Sequence, residues 1–205
     1  MAIPFATLTA MESLLPFIPF ALVASVTPGP TNILVLACAS RHGLVAALPM
    51  VVGAAVGAAS VLLLVGTGLA RPLAAHPSVR VLMAAVGLGW LTVLAVQLFR
   101  AAPAVSQDDD ARRGRLGLIA TAGLQWINPK AWMMAVAATG VFGGEGVSMT
   151  VLAGVFFVVA LPCVLVWALL GAGAARWIHD PRWMRRFNRG MALLLLLSAW
   201  VAVFG

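Results

Sequence analysis

The sequence predicts an all-α integral membrane protein with six transmembrane helices arranged as two inverted three-helix repeats, and three observations carry that reading. The 205 residues are 62% hydrophobic and 9% charged, with a mean hydropathy of +1.04, which no water-soluble domain of this size can present on its surface. Apolar runs long enough to cross a bilayer recur along the whole chain. Two of them, about half a chain apart, are interrupted near their centres by Thr27-Pro28-Gly29-Pro30 and by Asn128-Pro129-Lys130. Matched breaks of this kind mark transporters built from a duplicated unit.

At a minimum of about 18 apolar residues per helix, spans fall near 14–40, 43–70, 79–99, 117–142, 147–170 and 187–204. Residues 1–13 carry Glu12 and neither Lys nor Arg, so they lack the basic region of a cleavable leader, and the first apolar segment is expected to stay as a span. The second span follows Arg41-His42-Gly43 and carries Gly53 and Gly57 in a GxxxG spacing. Such small positions allow close helix approach, within one chain or between two copies in a homodimer. The third lies between the Arg71 to Arg80 stretch and Arg100, and the fourth follows a polar loop and contains the second break. The fifth follows Gly143-Gly144-Glu145-Gly146; Pro162 is expected to kink it, and Trp167 to anchor at the interface or close a cavity. The sixth follows a basic stretch from Arg176 to Arg189. The chain therefore reads as a single membrane transporter domain over 1–205, with repeat one at about 14–100, a cytoplasmic loop at about 101–116 and repeat two at about 117–204.

Six spans put Arg41, Arg100, Arg112, Arg113, Arg115, Arg176, Arg182, Arg185, Arg186 and Arg189 on one face, and only Arg71 and Arg80 on the other. By the positive-inside rule the first face is cytoplasmic and both termini are external, as for a multi-pass plasma-membrane protein. Three spans per half is an odd number, so the halves have opposite orientation. The net charge of +7 sits in these short loops, where orientation and anionic membrane lipids account for it better than nucleic acid does.

The breaks carry the chemistry. Pro28 and Pro30 remove amide donors on either side of Gly29, and irregular backbone at membrane depth is tolerated only where protein or a wet cavity surrounds it. The half-helix beginning near Thr31 and Asn32 presents free amides and a positive dipole end, a natural ligand for a carboxylate. Asn128 suits the N-cap of the second half-helix and Pro129 its first turn, while Lys130, the only lysine of the chain, adds a full charge. Gln125 lies three residues before Asn128, where it can meet a polar ligand group or another helix. The expected substrate-binding residues are thus Thr27, Pro28, Gly29, Pro30, Asn32, Gln125, Asn128, Pro129 and Lys130. Carbonyls freed around Pro28, with Asn32, Asn128 or Gln125, are expected to receive the amino group of the cargo.

Every Asp and Glu is terminal or in a loop, so a buried cationic side chain of the cargo has no counter-charge, and a small zwitterion or anion fits better. The same absence removes the usual proton carrier and leaves coupling open. Cys38 and Cys163 lie in apolar segments without a CxxC, the three His fall in separate loops, and Asp108-Asp109-Asp110 has no second acidic cluster, so no metal, no cofactor and no enzymatic activity are expected. The rival readings are an exporter of another small metabolite or basic amino acid, and a passive channel or structural membrane subunit.

The ordered set Thr27-Pro28-Gly29-Pro30 with Asn32, then Gly43, Gly53 and Gly57, then Asn128-Pro129-Lys130-Ala131 and Trp167 through Gly171 resembles the LysE/RhtB family of bacterial amino-acid exporters over nearly the whole chain. The resemblance implies six helices in two inverted repeats and export of small amino acids or derivatives, usually driven by the proton gradient. Gly57-Ala58 stands where many members have Gly-Asp, and Trp90 where many have Tyr; the missing acid counts against a basic cargo and an acid-based coupling step. With Leu124-Gln125 before Asn128, the chain looks more like the cysteine and O-acetylserine exporters of the family.

Overall fold

The computed structural model describes residues 5–68, 77–100, 110–143, 147–177 and 180–204, which form eight helices and no strand. These are α1 (Phe5–Val26), α2 (Pro30–His42), α3 (Leu44–Gly66), α4 (Pro77–Arg100), α5 (Asp110–Ile127), α6 (Pro129–Phe142), α7 (Met149–Trp177) and α8 (Pro181–Phe204). Arg71, His76, Asp108, Asp109, Glu145 and His179 lie outside the described residues, as do the side chains of Glu12, Arg80, Trp90, Asp110, Arg112, Arg113, Arg115 and Arg176.

The first expected span is two helices. α1 stops at Val26, α2 starts at Pro30, and the two axes are bent by 56°. Gly29 at the break is extended, and Pro30 opens α2 with the fixed φ that suits a first helical turn. The second break is shorter: α5 ends at Ile127, Asn128 is extended, and Pro129 opens α6. α7, by contrast, runs through Pro162 as one helix of 29 residues, so the kink expected there does not interrupt it. Several helices also outrun their apolar segments: α5 begins at Asp110 rather than near 117, and α8 at Pro181 rather than near 187. Backbone hydrogen bonding continues where the side chains turn polar, and hydropathy reads only the apolar part.

Among the described residues, α3 and α7 are each long and apolar enough to cross a bilayer, and the bent pair α1 and α2 makes a third such segment. The surface has the character of a membrane protein. Leu15, Val45, Val81, Ile119, Val141 and Val158 point outward, whereas the interior is rich in alanine. In lipid, large apolar side chains gain nothing by turning inward, and small residues let backbones approach.

Three apolar clusters hold the bundle. Phe17 and Ala21 of α1 pack with Leu62 of α3, Ala138 of α6 and Phe156 of α7, and the Phe142 ring meets Phe17 edge-on at 5.3 Å. Ile33 and Ala37 of α2 pack with Leu91 and Ala95 of α4 and Leu195 of α8. Val35 and Ala39, on the other side of α2, pack with Val51 and Ala54 of α3 and Ala168 of α7. The half-helix α2 is therefore the centre of the molecule, with nine of its 13 residues buried.

Glycine sets the closest approaches. Gly43 joins α2 to α3 at φ 86, a left-handed value that a side chain resists. The GxxxG of α3 is used within the chain: Gly53 lies on the Leu118 carbonyl and Gly57 on the Ala122 carbonyl, both of α5. Gly171 of α7 lies likewise on the Leu36 carbonyl of α2.

A Gly53→Ala variant should lower the thermal unfolding midpoint of the detergent-purified protein, because its methyl group meets backbone and overpacking of this kind costs about 1–3 kcal/mol. Gly154→Ala, where nothing lies within 4 Å, should leave the midpoint unchanged or slightly raised.

Candidate substrate-binding site

In a continuous helix the amides of residues 28 to 32 would bond the carbonyls of residues 24 to 28; two of those five residues are prolines, and the 56° bend carries the other amides away. Each of the five carbonyls instead meets a side chain. Thr27 Oγ1 donates to the Ala24 carbonyl at 3.3 Å. The Asn32 amide donates to both Ser25 and Thr27 carbonyls at 2.9 Å. The Trp167 indole, from α7, donates to the Val26 carbonyl at 3.1 Å. Lys130 Nζ donates to the Thr27 carbonyl at 2.8 Å, to Thr27 Oγ1 at 2.9 Å and to the Pro28 carbonyl at 3.5 Å.

Lys130 therefore crosses from the second break to the first. Its ammonium sits at the C-terminal end of α1, where the helix dipole favours a cation. Gly29 makes this possible: a Cβ there would stand 3.0 Å from Lys130 Cδ and 3.1 Å from Nζ. The second break is closed by local means. Asn128 Oδ1 accepts the Lys130 backbone amide at 3.1 Å as an N-cap, and the Trp132 indole donates to the Trp126 carbonyl at 2.7 Å.

A second tie joins the breaks. Gln125 Nε2 donates to Thr31 Oγ1 at 2.8 Å, and Asn128 Nδ2 donates to the same oxygen at 3.3 Å and to Gln125 Oε1 at 3.2 Å. Thr31, Gln125 and Asn128 are all buried. Between the ties lies a cavity of about 60 Å³ with Ser25, Thr31 and Asn32 on one side and Gln125, Asn128 and Lys130 on the other. Its walls are small or apolar, from Ala54 and Ala58 of α3, Met134 and Ala135 of α6, and Phe156 and Ala160 of α7. Lys130 is the one ionisable side chain among the residues that line it.

Of the nine residues expected to bind substrate, Gly29, Asn32, Gln125, Asn128 and Lys130 line this cavity, and Thr27, Pro28, Pro30 and Pro129 shape the breaks without lining it. Two details add to the expectations. The carbonyls freed around Pro28 each already accept a hydrogen bond from one of the protein's own side chains. Trp167 gains a further role beyond those expected of it, as the cap of the Val26 carbonyl. Ser25 and Thr31 line the cavity without having been singled out: Thr31 meets partners 94 and 97 positions away, which no local spacing reveals.

A helical membrane protein with two proline-broken segments interlocked around a cavity that carries polar groups from both breaks is built as a membrane transport protein. The chain belongs to the LysE-type translocator family, whose model matches residues 22–204. It is similar to the cysteine/O-acetylserine efflux proteins of Salmonella choleraesuis and Salmonella typhimurium, each 30% identical over 185 residues, covering 88% of this chain and 92% of the relative. The protein of the same description from Salmonella paratyphi A is 29% identical over the same span. No solved structure matches the chain.

Asn32→Asp should be as damaging as Asn32→Leu, because a carboxylate cannot donate to the Ser25 and Thr27 carbonyls, and a buried carbonyl left without a donor costs about 1–3 kcal/mol. Both variants should unfold at clearly lower temperature than the parent in detergent. A tolerant Asn32→Asp would show that the two bonds do not hold the break.

Proposed function

We propose that this protein exports a small, neutral amino acid or a close derivative from the cytoplasm to the outside across the inner membrane, by alternating access around the cavity between its two broken segments. The observation that carries this reading is Lys130 reaching from the second break to Thr27 of the first, the single charge at an otherwise acid-free cavity. A carboxylate in the cavity competes with the Thr27 carbonyl for the ammonium. Moving Lys130 from one to the other loosens a tie between the breaks and couples cargo binding to their relative position. The alanine-rich walls leave room for a small side chain, and a cationic one finds no counter-charge there. The names of the relatives point the same way, since cysteine and O-acetylserine are small amino acids with uncharged side chains.

Six spans in two inverted repeats, with both termini outside, complete the proposal. The packing supports it: α3 packs on both parts of the second broken segment, α5 and α6, while α7 packs on both parts of the first, α1 and α2. α3 also packs with α7, and α4 with α8. Exchanging the first three segments for the last three interchanges the first two of these relations and maps each of the other two onto itself, as a two-fold axis in the membrane plane requires.

Purified protein in proteoliposomes should catalyse saturable, stereoselective counterflow of a small neutral L-amino acid, and Lys130→Met should abolish it at unchanged membrane abundance. Flux that rises linearly with concentration and ignores stereochemistry would indicate a passive channel, and normal counterflow by Lys130→Met would remove Lys130 from the site.

A further inference from the structure

Proton accounting across the cavity gives its polar wall a direction. The Lys130 backbone amide can only donate, so the Asn128 atom that it meets is the oxygen, and the Asn128 nitrogen must be the donor on the other side. That nitrogen spends its two hydrogens on Gln125 Oε1 and Thr31 Oγ1. With Gln125 Oε1 accepting, Gln125 Nε2 is the donor to Thr31 Oγ1. The Thr31 oxygen thus accepts two N–H groups, which fills both of its lone pairs. Its own hydrogen has no acceptor among the described residues, and Thr31 lines the cavity.

A second hydroxyl is free on the same side. Ser25 is only 8% exposed, its Oγ has no hydrogen-bond partner, and it lines the cavity too. Thr31 and Asn32 are also the first residues of α2 with amides, and the turn before them supplies no intrahelical acceptor. A buried hydroxyl without a partner costs free energy, and two beside a helix N-terminus match a ligand made of acceptor oxygens.

We propose that the Ser25 and Thr31 hydroxyls, backed by the N-terminus of α2, form the subsite that holds the carboxylate of the cargo, and that the Gln125–Asn128 pair acts as a positioning device by forcing the Thr31 hydrogen into the cavity. This rests on the amino-acid exporter reading and divides the labour within it. Lys130, bonded to Thr27 and Pro28 until the cargo competes for it, serves as the movable tie, while the two hydroxyls select a carboxylate over its neutral amide.

The test is counterflow of labelled L-cysteine in proteoliposomes, with unlabelled L-cysteine and L-cysteinamide as competitors and L-serine and L-alanine as further cargoes. Ser25→Ala removes no hydrogen bond within the described structure and should fold normally. It should raise the half-inhibitory concentration of L-cysteine about tenfold, the loss expected of one hydrogen bond to a charged acceptor, and leave that of L-cysteinamide unchanged. Thr31→Val should do the same and Thr31→Ser should retain the parent's preference; if Thr31→Val fails to reach the membrane, Ser25→Ala alone decides. An unchanged preference for the carboxylate in Ser25→Ala, or equal weakening of both competitors, overturns the subsite and leaves the exporter reading standing. A parent protein that exchanges none of the three amino acids overturns both.

Discussion

The constraint on which the structure depends is the row of carbonyls at the end of α1. Proline at 28 and 30 and the bend between them strip five consecutive carbonyls of their helical donors. The protein answers with side chains from three places: Thr27 and Asn32 beside the break, Trp167 of α7, and Lys130 of α6. Leaving one such group unsatisfied costs about 1–3 kcal/mol, so the break itself recruits the elements that surround it. Interruption of a helix here is a means of assembly as well as a means of making a site.

From that constraint follows the position of the charge. An ammonium within a bilayer is costly unless dipoles or partners compensate it. Lys130 finds both the C-terminal dipole of α1 and specific oxygen acceptors, and it reaches them because Gly29 has no side chain to block its stem. The first break then presents bonded carbonyls, a cation and the Ser25 hydroxyl at the end of α1, and amides and the Thr31 hydroxyl at the start of α2. The groups left open on both sides are donors, which match the acceptor oxygens of a ligand.

The surrounding helices supply precision with little bulk. Gly53, Gly57 and Gly171 bring α3 onto α5 and α7 onto α2 at backbone contact, and alanines fill most of the walls between. Close backbone approach keeps the cavity small and fixes where the polar groups stand. It also concentrates burial on α2, a half-helix that touches both outer clusters and carries Thr31 and Asn32 at its start. A displacement of α2 therefore moves one face of the site as a unit.

Composition and spacing alone determined that the chain is helical and membrane-embedded, and that helices break at Thr27 to Pro30 and at Asn128-Pro129. Those properties are local: proline lacks a donor wherever it stands, and an apolar run must leave water whatever its neighbours. The N-cap role of Asn128 and the close-packing role of the α3 glycines were legible for the same reason. Only the tertiary structure decided that Lys130 points at Thr27, that Trp167 caps Val26, that the carbonyls near Pro28 bond the protein's own side chains, and that Thr31 rather than Asn32 meets Gln125. Each of these joins residues more than ninety positions apart, or chooses between donors of equal chemistry, and a hydrogen bond is settled by where the packed helices bring its two atoms.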